Sequence, residues 1–493
     1  MQPVVSSDEM RNFDANTIKN GTSSIVLMKR ASNFILQNID ASLSTAILVG
    51  SGNNGGDGIS LAEDLYKINN KIVVVKVAEP RTDSAKYYLD KIKKLGVNIV
   101  SYSTDFPLEE YEQIIDCIFG VGLTRDIEGI YKDLINRVNS LNKIVVSADI
   151  PSGLNANNGT TKLSINATKT ITFGAIKLGH LLSSGKDYTG KLLVSNIGID
   201  CNGSKCKMYQ KRDFKCYFEP IKQNLHKYNN GKVVIIGGSK NYVGAPLLSN
   251  IALSGLRVGA GLTTIAVPQV LADSIRSRVL ESTLNVLSDN GENIIFNKDE
   301  IDEATNKAKA VAIGMGIGRS TEVIKILQHL LAMDIKLLID ADAITMLATN
   351  VDLLLNKKAD VILTPHIAEF SRLSGVPIDD IKLNPVGYAV DFAKKYNVTL
   401  LLKGTSTIVT NGVDVAVSPY GNSSLAKGGS GDVLSGIILG LLAKNNTYIS
   451  GVIGSYLLGR SAEILQQQLT CYSVIASDIP TVLPLVVKEI IES

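Results

Sequence analysis

The chain of 493 residues contains no tryptophan and only five cysteines. The missing tryptophan removes one convenient optical probe. Five cysteines are too few to hold a chain of this length together by disulfide bonds, and an odd number cannot all pair. Cys201, Cys206 and Cys216 precede His226, but their spacing differs from the usual two-residue knuckle of a zinc site. A plain linker is therefore favoured over a zinc site, and both interpretations stay open.

The sequence also lacks long hydrophobic runs and a large charge of one sign. Apolar stretches such as residues 433–443 fall short of the roughly 18 residues needed for a membrane helix. Residues 1–14 carry acidic side chains and no apolar core, unlike a secretory signal. The 50 Lys and Arg residues nearly balance the 47 Asp and Glu residues, which argues against a general nucleic-acid or membrane-surface binder. We expect a cytoplasmic globular protein with no nucleic-acid or membrane partner.

Two series of apolar, β-branched runs, each run followed by a helical pattern, divide the chain. The first series includes residues 45–49, 71–77, 114–119 and 144–148, and the second begins at residue 232 after a polar stretch. This alternation is typical of a parallel sheet covered by helices. The chain is also too long for one ordinary core. The sequence therefore predicts an α/β protein with two domains, residues 1–210 and 211–493, each a mostly parallel sheet covered by helices.

Oxygen-bearing side chains follow several strands of the first series. They are Asn53, Asn54, Asp57, Asp116, Asp149 and Ser152. Ligands of such sheets bind at the carboxyl ends of the strands, where we expect these side chains to converge. Oxygen donors without a His or Cys cluster suit a hard cation and offer little to zinc. The set predicts a small-molecule site with a cation and acid/base groups. A second interpretation has Asp57 and Asp149 only capping turns and helices.

A glycine-rich turn at residues 422–432 is the most informative stretch of the chain, because it leads into an apolar segment and predicts a helix start. The unpaired N–H groups and the dipole of a helix start favour phosphate. Asp432 would repel phosphate, so we interpret it as an acid/base or metal-linked group rather than a phosphate ligand. The alternative is an aspartate that merely stabilises a helix start. Residues 403–407, directly after a strand-like run, predict a second nucleotide contact.

Four motifs of the first half resemble a known family. They are Gly-Asn-Asn-Gly-Gly-Asp-Gly (52–58), Asp-Cys-Ile-Phe-Gly-Val-Gly-Leu (116–123), Asp-Ile-Pro-Ser-Gly (149–153) and Thr-Phe-Gly-Ala-Ile-Lys (172–177). In this order they resemble the NAD(P)H-hydrate epimerase domain, over roughly residues 1–205. The resemblance implies a Rossmann-like fold and a candidate catalytic residue, Asp149. It implies a substrate site of Asn53, Asn54, Gly55, Gly56, Asp57, Gly120, Val121, Gly122, Leu123, Thr124, Arg125, Asp126 and Asp149. It also implies a potassium ion (K⁺) held by Asn54, Asp116 and Ser152.

The second half resembles the ADP-dependent NAD(P)H-hydrate dehydratases of the ribokinase-like superfamily. The matching stretches include residues 237–239, 242–246, 257–262, 339–343, 364–366, 403–407 and 428–432. The resemblance implies that the hydrated nicotinamide is approached by Ala245, Gly316, His366 and Asp432. It implies that the adenine nucleotide is held by Lys403, Gly404, Thr405, Ser406, Thr407 and Gly431. The loop 314–318 has Gly-Met-Gly-Ile-Gly where Gly-Pro-Gly-Leu-Gly is usual, and because its glycines remain we expect altered fit rather than lost activity.

The joined pair of resemblances implies repair of hydrated nicotinamide cofactors. The first half would interconvert the R and S forms of NADH hydrate and NADPH hydrate. The second half would convert the S form to NAD(P)H while ADP, bound with Mg²⁺, becomes AMP and phosphate. Asp432 would take the proton of the ring hydroxyl as that oxygen attacks the terminal phosphorus. Phosphate is then expelled in place of hydroxide, which is a poor leaving group.

Several alternatives stay open at this level. The strongest rival is a ribokinase-type small-molecule kinase fused to a non-catalytic dinucleotide-binding module. His366 is either a substrate contact or a packed or capping histidine, and Asp340 and Asp342 either support the site or cap a helix. Apolar residues 448–469 are expected to pack within the core of the second domain rather than against another subunit. For the assembly as a whole, we expect a homo-oligomer.

Overall fold

The structure, a computed structural model, describes residues 1–123, 125–218, 224, 226–251 and 257–493. The chain forms two compact units, Gln2–Cys206 and Lys207–Ser493, here termed the N-terminal and C-terminal units. The division lies in the polar stretch between the two series of strands. Both units consist of parallel-rich sheets with helices, so the predicted α/β class is confirmed.

The N-terminal unit alternates strands and helices along most of its length. Its strands are β1 (Gln2–Val5), β2 (Thr45–Val49), β3 (Ile72–Lys76), β4 (Asn98–Ser101), β5 (Gln113–Cys117), β6 (Ile144–Ala148), β7 (Lys169–Phe173), β8 (Ile176–Lys177) and β9 (Lys191–Ser195). Its helices are α1 (Ser7–Lys19), α2 (Ser24–Gln37), α3 (Asn53–Ile68), α4 (Asp83–Lys94), α5 (Gly129–Ser140), α6 (Leu178–Leu181) and α7 (Gly185–Thr189). A short strand, β10 (Cys206–Met208), spans the division between the units.

The main sheet of the N-terminal unit has the strand order β4-β3-β2-β5-β6-β7-β9, with every described pair parallel. Alternate residues of β2 point to opposite faces: Ile47 and Val49 join one hydrophobic core, and Ala46 and Leu48 join another. A strand buried on both faces needs a continuous apolar run, which the sequence supplies. The chain order reverses between β2 and β5, and this switch point is where such sheets bind ligands.

The C-terminal unit repeats the alternation with longer helices. Its strands are β11 (Lys232–Ile236), β12 (Leu262–Pro268), β13 (Thr283–Leu287), β14 (Ala308–Ile313), β15 (Lys336–Ile339), β16 (Asp360–Leu363), β17 (Thr399–Leu402), β18 (Thr407–Thr410) and β19 (Val415–Ser418). Its described helices are α8 (Gly244–Ile251), α9 (Gln269–Arg276), α10 (Lys298–Thr305), α11 (Thr321–Leu331), α12 (Ala341–Leu347), α13 (Ile367–Ser374), α14 (Ile378–Leu383), α15 (Pro385–Tyr396), α16 (Ser430–Leu442), α17 (Thr447–Gln468) and α18 (Ile479–Ile491).

The strands of this unit follow the order β13-β12-β11-β14-β15-β16-β17-β18-β19. Pairing is parallel from β13 to β17, and β18 runs antiparallel to both of its neighbours. Helices α16 and α17 lie in the hydrophobic core of the unit, where Ile437, Ile453 and Leu457 are fully buried. The apolar stretch 448–469 therefore packs within its own unit, as predicted.

The three cysteines Cys201, Cys206 and Cys216 differ in solvent exposure. Cys201 and Cys206 are buried, which raises the pKa of Cys201 to about 11, whereas Cys216 is exposed. Across the described ranges, no group of three or more His, Cys, Asp or Glu side chains is placed to hold a metal ion. Within the same ranges, no helix is both long enough and apolar enough to cross a membrane.

Candidate active sites

Loops at the carboxyl ends of β2, β5 and β6 surround a cavity of about 520 Å³ in the N-terminal unit. The cavity lies at the switch point of the sheet, where the sequence places the oxygen-bearing side chains. The predicted substrate residues that line it are Asn53, Asn54, Asp57, Gly120, Val121, Gly122, Leu123, Arg125 and Asp149. The structure thus brings together three loops that are far apart in the sequence.

A few predicted residues lie elsewhere. Gly55 and Gly56 are buried in the first turns of α3, behind the wall of the cavity. Asp126 forms an exposed ion pair with Lys162, with 2.6 Å between Oδ2 and Nζ. Of the predicted substrate residues that the structure describes, Gly55, Gly56 and Asp126 are the three that do not line the cavity. Thr124 lies outside the described residues.

Asp149 is the centre of a buried polar cluster. It follows β6 and has a left-handed backbone, with φ of 66°. Its Oδ1 accepts hydrogen bonds from the Lys177 ammonium, which is 1% exposed, and from the Thr172 hydroxyl at 3.2 Å. Lys177 Nζ also donates to Thr172 Oγ1 at 2.8 Å and to the Phe173 carbonyl at 2.9 Å. The carboxylate of Asp149 is therefore held by an ion pair rather than used as a helix cap.

The carboxyl groups around the cavity differ in proton affinity. Burial alone raises the pKa of Asp149, but the Lys177 ammonium outweighs this and holds that pKa below its ordinary value. Loss of water around Asp57, together with the charge of Asp149, raises the pKa of Asp57 well above its usual range. The same two causes raise the pKa of Asp14 to about 6. One ionised carboxylate thus shares the cavity with carboxyls that hold their protons more tightly, a pattern that suits acid/base chemistry.

The three predicted cation ligands lie around the carbonyl of Phe119. This oxygen accepts from Asn54 Nδ2 at 2.9 Å and from Ser152 Oγ at 3.4 Å, and Ser152 Oγ donates to Asp116 Oδ1 at 2.6 Å. Asp116 is fully buried, and its carboxylate also accepts from Ile118 N, Ser147 Oγ and Ser152 N. The buried Oδ1 of Asn54 has no hydrogen-bond partner. The unpartnered amide oxygen of Asn54 is the kind of ligand that a hard cation takes, whereas the Asp116 carboxylate is already engaged by four hydrogen bonds.

Sequence reasoning missed three charged residues of this cavity, Arg11, Asp14 and Lys177. Lys177 ends a motif used for the family resemblance, and a lysine at the end of an otherwise apolar run is a signal that it has a buried partner. Asp14 lines the cavity from α1, and nothing in its helical pattern distinguishes it from other acidic residues of that helix. Arg11 and Asp14 become recognisable as cavity residues only when α1 is placed beside the switch point.

In the C-terminal unit, Asp340 connects the predicted nucleotide segment 403–407 to helix α16. It lies directly after β15 and is 2% exposed. Its Oδ1 accepts from Lys403 Nζ at 3.1 Å, and its Oδ2 accepts from Ser435 Oγ in α16 at 2.8 Å. Asp340 precedes α12 but makes no side-chain cap bond to it. Of the two open alternatives, Asp340 therefore supports the site rather than capping the helix.

Asp432 occupies the first turn of α16, as the glycine-rich turn predicted. Gly429 precedes the helix with φ of 94°, and a Cβ there would lie 2.6 Å from Leu248 Cδ1. A Cβ added at Gly431 would lie 3.6 Å from Lys403 Nζ, which places the helix start beside that lysine. Burial and then the charge of Asp340 raise the pKa of Asp432 to about 7, although Lys403 opposes this. Asp432 can therefore accept a proton near neutral pH.

A second surface of this site is formed by the loop after β14. Gly316 has φ of 65°, and a Cβ there would lie 2.7 Å from Tyr242 Cβ and 3.0 Å from Ala245 Cβ. The structure thus brings together the predicted residues Gly316 and Ala245. Asp342 accepts from Gly318 N at 3.2 Å and from Arg319 Nε at 3.0 Å, so it holds this loop in place. A cavity of about 340 Å³ next to this loop is lined by Tyr242, Arg319 and Asp342 among others, and its lining includes none of the residues predicted to contact the hydrated nicotinamide or the nucleotide.

His366 forms the N-terminal cap of α13. Its Nδ1 accepts from Ala368 N at 3.1 Å and from Glu369 N at 3.2 Å, while Glu369 Oε2 accepts from His366 N. The capping alternative is thus observed, and the ring remains half exposed. His366 pairs through its backbone with Lys403, so it lies beside the nucleotide segment. In that segment Gly404 and Thr405 are exposed, Ser406 is buried, and Thr407 begins β18.

Comparison with known proteins covers nearly the whole chain. Residues 233–485 match the family model described as NAD(P)H-hydrate dehydratase, and residues 24–179 match the one described as YjeF-related protein N-terminus. The bifunctional NAD(P)H-hydrate repair enzyme Nnr of Dictyoglomus turgidum is 33% identical, over 99% of both chains. The chain belongs to the bifunctional NAD(P)H-hydrate repair enzyme family. The member from Escherichia coli K12 is 31% identical, over 90% of this chain and 84% of its own.

Structural comparison agrees with the fold expected for the dehydratase part of this repair enzyme family. A ribokinase-like superfamily protein from Enterococcus faecalis V583 is 26% identical and superposes with a TM-score of 0.51. The match covers 59% of this chain and 98% of that protein. The resemblances on which the sequence interpretation rested are confirmed, and the ribokinase-like prediction with them.

Proposed function

We propose that the two units divide the repair of hydrated NADH and NADPH between them. The N-terminal unit interconverts the R and S hydrates in the cavity around Asp149. The C-terminal unit dehydrates the S form at Asp432 while ADP becomes AMP and phosphate. The observation that carries the proposal is the position of Asp432, in the first turn of α16 at the end of a glycine-rich turn and beside Lys403 and Asp340. Burial and the charge of Asp340 raise the pKa of Asp432 there to about 7. A carboxylate with this proton affinity suits deprotonation of an alcohol during phosphoryl transfer.

The dehydration reaction follows from the arrangement around Asp432. Its carboxylate takes the proton of the ring hydroxyl as the hydroxyl oxygen forms a bond to the terminal phosphorus of ADP. The bond from that phosphorus to the bridging oxygen breaks, and AMP leaves. Breaking the carbon–oxygen bond then expels phosphate, and loss of a ring proton completes the double bond of NAD(P)H. The N–H groups of the α16 start and the Lys403 ammonium are the groups that stabilise the transferring negative charge.

Mg²⁺ is expected to enter with the nucleotide. The carboxylates of Asp340 and Asp342 already accept hydrogen bonds from Lys403, Ser435, Gly318 and Arg319. A site with engaged carboxylates suits an ion that keeps several waters and binds mainly through substrate phosphates. When bound, Mg²⁺ neutralises part of the phosphate charge.

The epimerase site depends on Asp149 and a bound cation. Asp149 stays ionised beside Lys177 and is the candidate base for the proton transfers that accompany breaking and re-forming a bond to the hydrated carbon. K⁺ would be held by Asn54 Oδ1, with Asp116 and Ser152 as the other ligands, because the first of these atoms is buried and unpartnered. When bound, K⁺ would supply a positive charge at the wall of the cavity that Asn54 lines.

A mixture of R and S hydrates, supplied with ADP and Mg²⁺, tests the division of labour. We expect all of the hydrate to return as reduced nicotinamide, with one inorganic phosphate released per molecule, measured by absorbance and phosphate assay. Consumption that stops when the S form is exhausted would remove the epimerase assignment. Accumulation of a stable phosphorylated product would favour the ribokinase-type kinase instead, although relatives that match the whole chain already speak against it. A cytoplasmic location and a homo-oligomeric assembly stay predictions.

A further inference from the structure

His180 is a buried titratable residue that the proposed chemistry does not use. It lies in the short helix α6 and is 1% exposed. Its Nδ1 accepts a hydrogen bond from the backbone N–H of Lys177 at 3.1 Å. Its Nε2 lies 2.9 Å from the backbone carbonyl oxygen of Asp149. One imidazole ring thus bridges the backbones of the two residues that form the ion pair in the cavity.

The charge and the tautomer of this ring are determined by its surroundings. Burial, and then the nearby Lys177 ammonium, lower the pKa of His180 to about 3, so the ring is neutral at any working pH. Because Nδ1 accepts from an N–H group, the single ring proton must lie on Nε2. Nε2 therefore donates to the Asp149 carbonyl. Both ring nitrogens are fully used, and His180 has no proton to exchange with a substrate.

The hydrogen bond from His180 Nε2 is made to a residue whose backbone conformation is unfavourable. A left-handed φ of 66° is uncommon for a residue with a Cβ. Such a conformation persists only where neighbouring groups hold it in place. The carbonyl of Asp149 is held by the imidazole N–H, and the carboxylate is held by Lys177 and Thr172.

We propose that His180 is a positioning residue for epimerisation, which locks the Asp149 backbone in its left-handed conformation and ties it to the backbone of Lys177. This inference rests on the proposed role of Asp149 as the base of the N-terminal unit. It assigns to His180 an effect on the reaction rate and on its pH dependence, rather than on stability alone.

The pH dependence follows from the groups that face Asp149. They are Lys177 from β8, His180 from α6, Asp57 from α3 and Asp14 from α1. Of these, Lys177 is the one that lowers the pKa of Asp149 most. If the backbone relaxes and the carboxylate moves away from Lys177, burial and the two neighbouring carboxyls raise that pKa. A base works only when deprotonated, so the loss of rate on acidification would then begin at a higher pH.

Two amide variants test the two hydrogen bonds of the His180 ring one at a time. In His180→Gln the terminal NH₂ can take the place of Nε2–H and keep the bond to Asp149. In His180→Asn the carbonyl can take the place of Nδ1 and keep the bond to the Lys177 N–H. His180→Leu removes both bonds, and Leu182→Ala, at a buried apolar position two residues later, is the packing control.

The measurements are epimerisation kcat, KM and pH profile, with dehydratase activity on the pure S hydrate as the standard for enzyme concentration and the melting temperature as the check on folding of the N-terminal unit. We expect His180→Leu and His180→Asn to lower kcat about 10- to 100-fold, with little change in KM and an acid limb at higher pH. We expect His180→Gln to retain most of the activity. Leu182→Ala should lower the melting temperature without moving the pH profile.

Different outcomes would overturn the positioning role of His180 and the proposed role of Asp149 as the base. If His180→Leu behaves like Leu182→Ala, or if His180→Asn is more active than His180→Gln, the positioning role is wrong. If His180→Leu does not fold, the comparison of the two amide variants still decides the question. Asp149→Asn, measured alongside, tests the proposed function itself: an unchanged epimerisation rate there would remove Asp149 as the base, whatever the His180 variants do.

Discussion

The two units use an aspartate and a lysine in opposite ways. In the N-terminal unit Lys177 contacts Asp149 directly and keeps that carboxylate ionised. In the C-terminal unit Lys403 contacts Asp340, while Asp432 is left partly buried with a pKa of about 7. The same residue types thus give one carboxylate that holds its proton weakly and one that holds it strongly. Both carboxylates are buried enough for loss of water to raise their pKa, and the direct ammonium contact, present at Asp149 and absent at Asp432, is what separates them.

The largest effect is expected at Asp432. Asp432→Asn removes the proton acceptor and should slow dehydration of the S hydrate about a thousandfold, within the range for lost acid/base assistance. Epimerisation should continue at its normal rate, measured by exchange between the two hydrates. Asp379→Asn, at an exposed carboxylate of the same unit, is the control. Dehydration that persists in the Asp432 variant would contradict the assignment and the comparison built on it.

A similarly large effect is expected at Asp149. Asp149→Asn removes the candidate base and should slow epimer exchange by at least about a hundredfold, with little effect on dehydration of the S form. Asp133→Asn, at an exposed position of α5, serves as the matched control. If both activities fell together, the two units would not work independently. An unchanged exchange rate would instead favour a binding role for the N-terminal unit or a different base.

The smallest effect is expected at Asp340, the residue whose charge distinguishes the surroundings of Asp432 from those of Asp149. Asp340→Asn removes the charge that raises the pKa of Asp432 and frees Lys403 to approach it. Both changes lower that pKa, so the loss of dehydratase activity on acidification, expected near pH 7, should move to lower pH. The KM for ADP should rise about tenfold, because Lys403 loses its charge-assisted bond.

A matched control for this variant is Ser435→Ala. It removes one hydrogen bond to Asp340 but leaves the charge of Asp340 in place. The acid limb should therefore stay near pH 7 in a pH–rate profile of this variant. An acid limb that does not move in Asp340→Asn would show that Asp340 has no influence on Asp432.

Much of the fold and part of the candidate sites could be predicted from local pattern. The apolar runs that became β2 and β5, and the glycine-rich turn that became the start of α16, carry their structure in neighbouring residues. Loops that follow such strands meet at one edge of a parallel sheet, which is why Asn53, Gly120 and Asp149 share a cavity.

Other site features depend on contacts between distant segments. Lys177 reaches Asp149 across 28 residues, and Ser435 reaches Asp340 across 95. His366 caps its own helix, which the pattern allowed but could not choose over a substrate contact. Asp126 follows the residues that line the cavity, yet it pairs with Lys162 at the surface. In each case packing decides the partner, which the local sequence pattern does not contain.

The amino-acid sequence by itself determined the α/β class, the two series of strands and the positions of the polar loops, because hydrophobic periodicity and turn residues act over a few neighbouring positions. Only the tertiary structure decided which acid is ionised and which is poised to take a proton. Proton affinity depends on burial and on charges a few ångströms away, and the elements that supply those charges to Asp149 and Asp432 are distant in the chain.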